Sequence, residues 1–351
     1  MITLIHTIEL SITTNRNKVT KILTDYYQLE EVQQIIANTK SKKISIPIQY
    51  PGIMDVSISH IYEDYYRLYL IIELQSLIVG RRTIDVFDCS DESIYKLRTA
   101  LPNAIKYISS TLPTEERWKV SRIDYTVNLF SEYVKQCIDL AKKGRDPYRY
   151  KDIINLPGSS YRQSKTVILN FYDKLDHIRK YIGSTSPNAY LLEEAKNIFR
   201  IEIQCLGNKK LKHIKNKYKL PTYANIYDYL RSDIAKETIF YYYKKVIGTG
   251  DYYSMNEAIN KIQNSTWSNR KKENIIKWLR LIAQARSVSN AREQFITGTV
   301  LKNTNTLVKG SLNTFGNYIK SCEAIDLNPV TIPKDWEIKY IPNPIKSLKI
   351  N

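Results

Sequence analysis

The sequence predicts an α+β protein in which antiparallel strands come before a helical region. Segments of alternating apolar and polar residues, which are typical of half-buried strands, recur from residue 3 to residue 206. From residue 207 onward the apolar residues instead follow a helical period. Strands gathered in one part of the chain and helices in another favour antiparallel sheets with helices packed on one face, and a pair of such sheets if the strand-rich part is duplicated.

The composition is that of a globular protein. Of 351 residues, 43% are hydrophobic and 25% are charged, which excludes a disordered or collagen-like chain and allows two or three domains. No apolar run approaches the roughly 18 residues of a membrane-spanning helix. The first residues lack the basic segment of a signal peptide, and the four cysteines form no CxxC pair. We therefore expect a cytoplasmic protein without a disulfide framework or a zinc finger.

Residues 1–115 predict a first α+β unit. The apolar period changes several times within it, from the two-residue repeat of strands to the repeat of helices. In chain order we expect a strand at 3–13, a helix at 18–37, strands at 43–50 and 54–60, a β-rich run at 65–79 and a helix at 92–109.

Residues 116–206 predict a second α+β unit, because the pattern restarts near Trp118. Residues 159–165 are polar and basic and are interpreted as a loop. The other expected elements are a strand at 120–130, a helix at 131–143, a strand at 166–172 that passes into a short polar helix, and a strand at 198–206.

The two units resemble each other and predict an internal duplication. Ile72-Glu73-Leu74-Gln75-Ser76-Leu77 aligns with Ile201-Glu202-Ile203-Gln204-Cys205-Leu206. Ile8-Glu9 in the first strand corresponds in the same way to Ile123-Asp124. Shared β-propensity alone also produces such short matches between strands.

The remaining chain is more basic than the rest. Residues 207–325 are predicted to form a helical region, with helices near 223–247, 254–263 and 268–288, and residues 326–351 an extended tail rich in proline. The whole chain has 53 Lys and Arg against 35 Asp and Glu, a formal charge of +18. Such a charge attracts polyanions, and without a strongly amphipathic basic terminal helix a membrane surface is a weaker candidate than nucleic acid.

The second unit also contains a candidate catalytic site. Arg122-Ile123-Asp124 and Arg200-Ile201-Glu202 each place a carboxylate in the middle of a strand. On neighbouring strands these two oxygen ligands can converge on one Mg²⁺ or Mn²⁺, which would polarise a scissile phosphate. Tyr172 at a strand end is the candidate attacking group. Lys174 and Arg162 are candidates to neutralise the charge on the phosphate.

Simpler interpretations stay open for each of these residues. An Arg-x-Asp or Arg-x-Glu strand also forms ion pairs on a solvated sheet face. Tyr172 is one of 28 tyrosines, and Tyr161 in the basic segment is an alternative nucleophile. His6 and His60 are candidates for a third metal ligand, although an isolated histidine is more often a structural hydrogen-bonding group.

Three segments together resemble the phage and plasmid replication protein family typified by the filamentous-phage gene II initiator and by rolling-circle plasmid initiators. They are Trp118-Lys119-Val120-Ser121-Arg122-Ile123-Asp124-Tyr125, Asn170-Phe171-Tyr172-Asp173-Lys174 and Phe199-Arg200-Ile201-Glu202-Ile203-Gln204. The resemblance covers residues 1–219. The chain departs from many nicking enzymes in lacking a His-hydrophobic-His triplet.

The resemblance implies a duplicated, HUH-endonuclease-like nicking core of ferredoxin-type units, followed by the basic helical region. Its implied activity is site-specific cleavage of one DNA strand at an origin, in which a tyrosine keeps the 5′ phosphate and a 3′ hydroxyl is released. Tyr172 is then the nucleophile, Lys174 assists, and Asp124 and Glu202 hold Mg²⁺ or Mn²⁺. The implied partners are origin DNA, as duplex or hairpin and as single strand, and a host helicase and polymerase.

Several basic residues are predicted to contact DNA. A helix at 268–288 either enters a major groove through its first turn or packs with a solvated basic face. The predicted DNA-binding residues are Arg162, Lys165, Lys209, Lys210, Lys212, Asn269, Arg270, Lys271 and Lys272. A conjugative or mobilisation relaxase, or a non-catalytic DNA-binding regulator with the same fold, are the alternative functions.

Overall fold

A computed structural model of the chain describes residues 4–40, 42–147, 149–150, 152–182, 186, 188–302 and 304–348. It confirms the α+β class: a nine-stranded antiparallel sheet has helices packed against it, and a largely helical region follows in the chain. Within the residues described, no helix is both long enough and apolar enough to cross a membrane.

The nine strands are all paired antiparallel, in the order β2-β3-β4-β1-β5-β9-β8-β7-β6. The two predicted units form one continuous sheet rather than a pair of sheets, because the strands that begin them, β1 and β5, pair with each other at the centre. The strand bounds are β1 Ile5–Asn15, β2 Ile44–Ile46, β3 Ile53–Tyr62, β4 Tyr65–Glu73, β5 Lys119–Phe130, β6 Asp152–Leu156, β7 Ser159–Gln163, β8 Val167–Asp173 and β9 Ile198–Leu206.

Fourteen helices in the described part of the chain surround the sheet and build the C-terminal region. Their bounds are α1 Arg16–Thr24, α2 Leu29–Asn38, α3 Leu74–Val79, α4 Asp91–Ile108, α5 Val134–Lys142, α6 Lys174–Arg179, α7 Tyr190–Glu194, α8 Gly207–Lys217, α9 Ile226–Tyr229, α10 Ser232–Val246, α11 Met255–Gln263, α12 Asn269–Ala285, α13 Val288–Thr297 and α14 Leu312–Ala324. Two short strand pairs lie in the same region: β10 Tyr252–Tyr253 with β13 Tyr340–Ile341, and β11 Thr299–Leu301 with β12 Thr306–Val308.

The two faces of the large sheet differ in chemistry. Alternate residues such as Ile8, Ile123 and Ile203 are fully buried and belong to the main hydrophobic core, which α5, α8 and α10 help to cover. Their neighbours in sequence point to the other face, which carries mostly polar side chains. We call this second surface the polar face. It is the face on which both predicted carboxylates lie.

Two predicted elements of the first unit have different bounds. The helix expected at 18–37 is two helices, because α1 ends at Thr24 and Gln28 starts α2 with a capping box to Glu31. The β-rich run at 65–79 is a strand only to Glu73, where α3 begins. A short apolar run does not by itself distinguish a buried strand from a buried helix.

Residues 159–165 are not a loop as predicted. Ser159–Gln163 form β7, which pairs with β8 and with the unpredicted edge strand β6. The polar composition concealed the alternation, because one of the side chains that points into the core here is an arginine.

The two aligned hexapeptides do not share one conformation. The first changes from strand to helix after Glu73, whereas the second is strand throughout. Glu73 and Glu202 nevertheless occupy matching places, because each lies opposite a threonine of the central strand beside it, Thr7 or Thr126.

The C-terminal segment, predicted as an extended tail, contains two short 3₁₀ helices, Lys334–Trp336 and Pro344–Ser347, and is packed into the protein. Leu327, Val330, Ile332 and Ile345 are buried, and β13 pairs with β10. The amide of Asn343 donates hydrogen bonds to the carbonyl oxygens of Gly248 and Gly250 at 3.1 and 2.9 Å. These contacts tie the end of the chain to the loop that follows α10.

Candidate active site

Polar side chains from six elements, nearly all of them titratable, meet at the centre of the polar face. The sheet register brings them together, because Glu202 lies opposite Thr126 of β5 and Asn170 of β8, and Arg200 lies opposite Tyr172. We call this group the central cluster. Its members are His6, Glu73, Arg122, Asp124, Tyr172, Lys174, His177, Arg200, Glu202 and Gln204.

His6 lies between two carboxylates. Its Nε2 is 2.9 Å from Oε1 of Glu73, and its Nδ1 is 3.8 Å from Oε2 of Glu202. The pairing of β1 with β5 is irregular between Ile5 and Ile8, and His6 lies at this irregularity. Burial lowers the pKa of His6, although the hydrogen bond to Glu73 favours the protonated ring. Burial alone would raise the pKa of Glu73, but the hydrogen bond and charge of His6, together with Ser76 and Lys174, outweigh it and lower that pKa to about 2.

Glu202 is the hydrogen-bond acceptor at the centre of the cluster. Gln204 donates from Nε2 to Oε1 at 2.6 Å, and the Tyr172 hydroxyl donates to Oε2 at 3.3 Å. Burial favours the neutral acid, but His6, Gln204 and Arg200 together lower the pKa of Glu202 below its ordinary value. The carboxylate that holds the phenol is therefore ionised at neutral pH.

Tyr172 is almost completely buried, with 4% of its surface exposed. Burial and then the charge of Glu202 raise its pKa, while Arg200 acts in the opposite direction. The ring of His177 lies beside it, with the ring centres 4.9 Å apart. The phenol is thus neutral and oriented by one carboxylate.

Two cations face this carboxylate. Lys174 begins α6 directly after β8, and burial followed by repulsion from Arg200 lowers its pKa to about 7. Arg200 donates from Nε to Oδ1 of Asn128 at 2.7 Å and from Nη2 to the carbonyl oxygen of Ile84. Its Nη1, although buried, has no hydrogen-bond acceptor in the described structure. An unused buried guanidinium N–H next to an ammonium group is suited to a phosphate oxygen.

Asp124 is held by its own strand. Arg122 binds both carboxylate oxygens, from Nε to Oδ1 at 2.7 Å and from Nη2 to Oδ2 at 2.5 Å. Burial raises the pKa of Asp124 to about 7, opposed by the hydrogen bond from Arg122. The ion-pair interpretation of Arg-x-Asp therefore describes this arrangement, whereas Arg200 binds Asn128 and Ile84 rather than Glu202.

The donor chemistry suits a hard divalent cation, because Asp124 and Glu202 present carboxylate oxygens on one face of adjacent strands. Their present partners are Arg122, Gln204 and Tyr172. In the part of the chain that the structure describes, no three His, Cys, Asp or Glu side chains are grouped as they would be around a metal ion. An ion bound here would have to replace some of these hydrogen bonds.

The prediction that Arg162 contacts DNA is wrong in this structure. The side chain points into the core and has 0% of its surface exposed. It donates to Oδ1 of Asp146 at 2.9 Å, to Ser160 at 2.6 Å and to the carbonyl oxygen of Ala141 at 3.1 Å. The guanidinium links β7 to the end of α5. Its predicted role of neutralising the charge on a phosphate is therefore not available to Arg162.

The alternative nucleophile lies on the polar face, whereas one candidate for a third metal ligand lies far from it. Tyr161 lies on the polar face opposite Asn170, and its hydroxyl donates to Gln163 at 2.5 Å. His60 is far from the cluster, since it contacts the carbonyl oxygen of Glu63 at the β3–β4 turn. Seven residues of β4 separate that turn from Glu73, roughly 20 Å. His60 is therefore excluded as a third ligand in this structure, whereas His6 is not.

The predicted DNA-binding lysines and arginines lie outside the cluster. Lys165 is exposed after β7, and Lys209, Lys210 and Lys212 lie on α8. Helix α12 is largely a packing helix, with Ile275, Trp278 and Leu279 among its buried residues. In its first turn Asn269 and Arg270 are exposed, Lys271 covers the ring of Trp267 at 4.6 Å, and Lys272 donates to the carbonyl oxygen of Gln263 at 2.8 Å.

Sequence reasoning assigned no role in the site to Arg200, Glu73 or His177. Strand alternation could have found Arg200, because it lies two residues from Glu202 and so shares its face. Glu73 was visible as the counterpart of Glu202 in the other unit. His177 had no comparable signal, since its position depends on α6 turning back over the sheet.

Comparison with known proteins does not add to these observations. No protein-family model matches the chain, and no curated protein is significantly similar to it. The functional argument therefore rests on the residues and geometry described above.

We predict that the His6–Glu73 pair stabilises the fold above pH 4.5. A carboxyl whose folded pKa is about 2, against an ordinary 4.5, binds its proton more readily in the unfolded chain, so its contribution is lost as the pH falls from 4.5 towards 2. Glu73→Gln should lower the free energy of unfolding at pH 6 by about 2 to 3 kcal/mol and have a smaller effect near pH 2.5. Urea unfolding at both pH values measures this.

The exposed Glu92, which pairs with Lys96 across one helix turn, provides the control. Glu92→Gln should change the free energy of unfolding by about 0.5 kcal/mol or less at either pH. If Glu73→Gln and Glu92→Gln lower the free energy of unfolding equally at pH 6, the His6–Glu73 pair does not stabilise the fold as predicted.

Proposed function

We propose that the chain is a rolling-circle replication initiator, a DNA endonuclease and strand transferase that cleaves one strand at an origin and keeps the 5′ phosphate on a tyrosine. The main support is the hydrogen bond from Tyr172 to the ionised Glu202, with Lys174 and Arg200 beside it. A nucleophile, an acceptor for its proton and two cations for a phosphate are the groups that such a transfer needs. Origin DNA, a host helicase and a polymerase are the proposed partners.

The strand order supports the proposed duplicated, HUH-endonuclease-like core. Reading outward from the centre, one half is β1-β4-β3-β2 and the other is β5-β9-β8-β7, with β6 added at the edge. In each half the central strand is followed by a helix. The strand register matches Thr7 with Thr126 and Glu73 with Glu202, so Asp124 has no counterpart in Glu9. Among the described residues, the second half alone combines a tyrosine and a lysine with its glutamate.

The chemical steps follow from the positions of these side chains. Glu202 orients the Tyr172 hydroxyl and accepts its proton while the phenolic oxygen forms a bond to the phosphorus. The bond between phosphorus and the 3′ oxygen breaks, and the Lys174 ammonium donates a proton to that oxygen. The free N–H of Arg200 binds a non-bridging oxygen. The products are a 5′-phosphotyrosine and a 3′ hydroxyl.

A divalent ion is part of the proposal. Asp124 and Glu202 would hold Mg²⁺ or Mn²⁺ through carboxylate oxygens. His6 would become the third ligand only after side chains rearrange, because no three His, Cys, Asp or Glu side chains of the described residues are grouped around one point. Bound there, the ion would polarise the scissile phosphate as a Lewis acid.

A non-catalytic DNA-binding regulator is the second candidate, and the burial of Tyr172 favours it. With 4% of its surface exposed, the tyrosine reaches a phosphodiester only when neighbouring side chains move aside. Such a protein would bind DNA and leave it uncut, so a nicking assay separates the two functions.

We predict that Tyr172→Phe abolishes nicking and the covalent protein–DNA adduct while leaving DNA binding within about twofold. The substitution removes one oxygen and one hydrogen bond from a folded site. The assay incubates the protein with a supercoiled plasmid that carries its own gene and flanking sequence, plus Mg²⁺ or Mn²⁺, and follows relaxation and the adduct. Tyr161→Phe is the matched control and should still nick. If Tyr161→Phe is inactive and Tyr172→Phe is active, Tyr161 is the nucleophile.

We predict that EDTA stops nicking, and that Asp124→Asn and Glu202→Gln each lower it at least about 100-fold with partial recovery at high Mn²⁺. Each substitution keeps the size of the side chain but removes a negative charge from the proposed ligand set. Full activity in EDTA would contradict a role for the metal. If Asp124→Asn is as active as the unmodified protein, Asp124 is not a metal ligand and its role is limited to the ion pair with Arg122.

We predict that kcat/KM for nicking falls as the pH rises through about 7, because the free protein must carry Lys174 protonated. A lysine with a lowered pKa loses its proton in this range, and with it the charge and the proton for the leaving oxygen. Lys174→Arg keeps the charge and should move the fall to higher pH, whereas Lys174→Gln should remove most activity at every pH. An unchanged profile in Lys174→Arg would assign the fall to another group.

A further inference from the structure

A second site lies on the helical side of the sheet. It is a cleft of about 1110 Å³ between α8 and α10 on one side and α13 and α14 on the other, with residues 145–147, 149 and 150 and Thr166 also on its wall. Helix α8 packs on the apolar face through Leu211 and Ile214. The cleft is therefore separated from the central cluster by the sheet, and no member of the cluster is among the described residues that line it.

The wall of the cleft is strongly basic. It includes seven Lys and Arg side chains and two carboxylates, Asp146 and Glu237. Both carboxylates already have partners, because Asp146 binds the buried Arg162 and Glu237 binds Lys217. Five of the cations have no carboxylate partner in the described residues: Arg149, Lys209, Lys210, Lys245 and Arg292. A concave wall with this excess of charge attracts a polyanion.

Tyrosine rings lie among these cations. Tyr241 has 52% of its surface exposed, and its hydroxyl accepts a hydrogen bond from Lys245 at 3.0 Å. Tyr242 lies edge-on to it with the ring centres 5.0 Å apart, and Lys210 is 5.0 Å above the Tyr242 ring. Tyr242 is buried and supports the exposed ring of Tyr241, which offers a surface for an unpaired base next to lysines that can bind the adjoining phosphates. Duplex DNA hides the faces of its bases, so this arrangement favours a single strand.

A basic path connects the cleft with the polar face. A neighbouring hollow of about 670 Å³ shares Arg149, Thr166 and Lys209 with the cleft and also includes Lys165 and Gln163. Gln163 lies on the polar face, where the register runs from Gln163 through Ile168 to Gln204. Three adjacent strands span about 10 Å, so this end of the path is close to Glu202.

We propose that the cleft between α8–α10 and α13–α14 binds a single-stranded nucleic acid segment that continues from the central cluster past Lys165 and Lys209. This proposal rests on the proposed function in one respect: the segment is taken to be the single strand next to the site cleaved at Tyr172. The affinity of the cleft for a single strand is a property of its own residues.

The test measures binding of a fluorescent 12-nucleotide oligothymidine by anisotropy at several salt concentrations, in EDTA and in the full-length Tyr172→Phe protein. Lys209→Glu should weaken binding at least fivefold and reduce the slope of log affinity against log salt by about 0.7 for each phosphate that the variant no longer neutralises. Lys215→Glu, on the same helix but outside the cleft, is the matched control and should change affinity less than twofold.

Tyr241→Ala should weaken oligothymidine binding about tenfold, in the range found for loss of one stacked base. Tyr223→Ala is its control, because this ring is exposed and lies outside the cleft. Equal losses in the cleft and control variants would overturn the proposal. The proposal would also be overturned if a 12-base-pair duplex binds more tightly than the single strand and Tyr241→Ala has no effect. That result would assign the cleft to duplex DNA.

The result is distinguishable from failure of the proposed function. If the unmodified protein nicks no plasmid while Lys209→Glu still weakens oligothymidine binding relative to Lys215→Glu, the cleft binds single strands in a protein that does not cleave. If nicking occurs and the cleft variants bind normally, the endonuclease assignment stands and the cleft proposal is wrong.

Discussion

The constraint on which the site depends is the burial of three carboxylates at the centre of one sheet. Glu73, Asp124 and Glu202 are each almost fully withdrawn from water. An unpaired buried charge costs several kcal/mol, so each carboxylate needs a compensating partner close by. His6, Arg122 and Arg200 provide this compensation from β1, β5 and β9. The central strands must therefore pair in one register, because a slip by a single residue would place these charges in the apolar core.

The same requirement explains why the cations of the site differ in what they can do. Arg122 is saturated by its bidentate contact with Asp124 and has a structural role in the present arrangement. Arg200 is anchored through two of its nitrogens and keeps the third free inside the cluster. Lys174, at the start of a helix, is buried and lies near Arg200, and for both reasons it loses its proton more easily than an exposed lysine. Anchored groups with unused donors are the ones prepared for a substrate.

Strand alternation made part of this site predictable. It places Asp124 and Glu202 on one face, and it implied that Arg200 shares that face with Glu202. Other features depend on tertiary structure: His6 reaches both glutamates at an irregularity in strand pairing, and Arg162 points inward where its charge suggested a surface. The helix-to-strand ambiguity after Glu73 and the hidden alternation of β7 have the same origin, because local composition does not record which neighbour covers a segment. The basic composition predicted a polyanion partner, but it did not show that cationic side chains gather in two places, the central cluster and the cleft between α8–α10 and α13–α14.

The electrostatics of the central cluster couple phosphate binding to the protonation of Lys174. In the free protein, repulsion between Lys174 and Arg200 favours the neutral amine. A phosphate bound at the free N–H of Arg200 would place a negative charge beside both cations and raise the pKa of Lys174. By linkage, the protonated lysine would bind the phosphate more tightly by the same free energy. In the proposed reaction the ammonium group would thus form when a phosphodiester binds, which reconciles a lysine poised near pH 7 with a step that would require its charge.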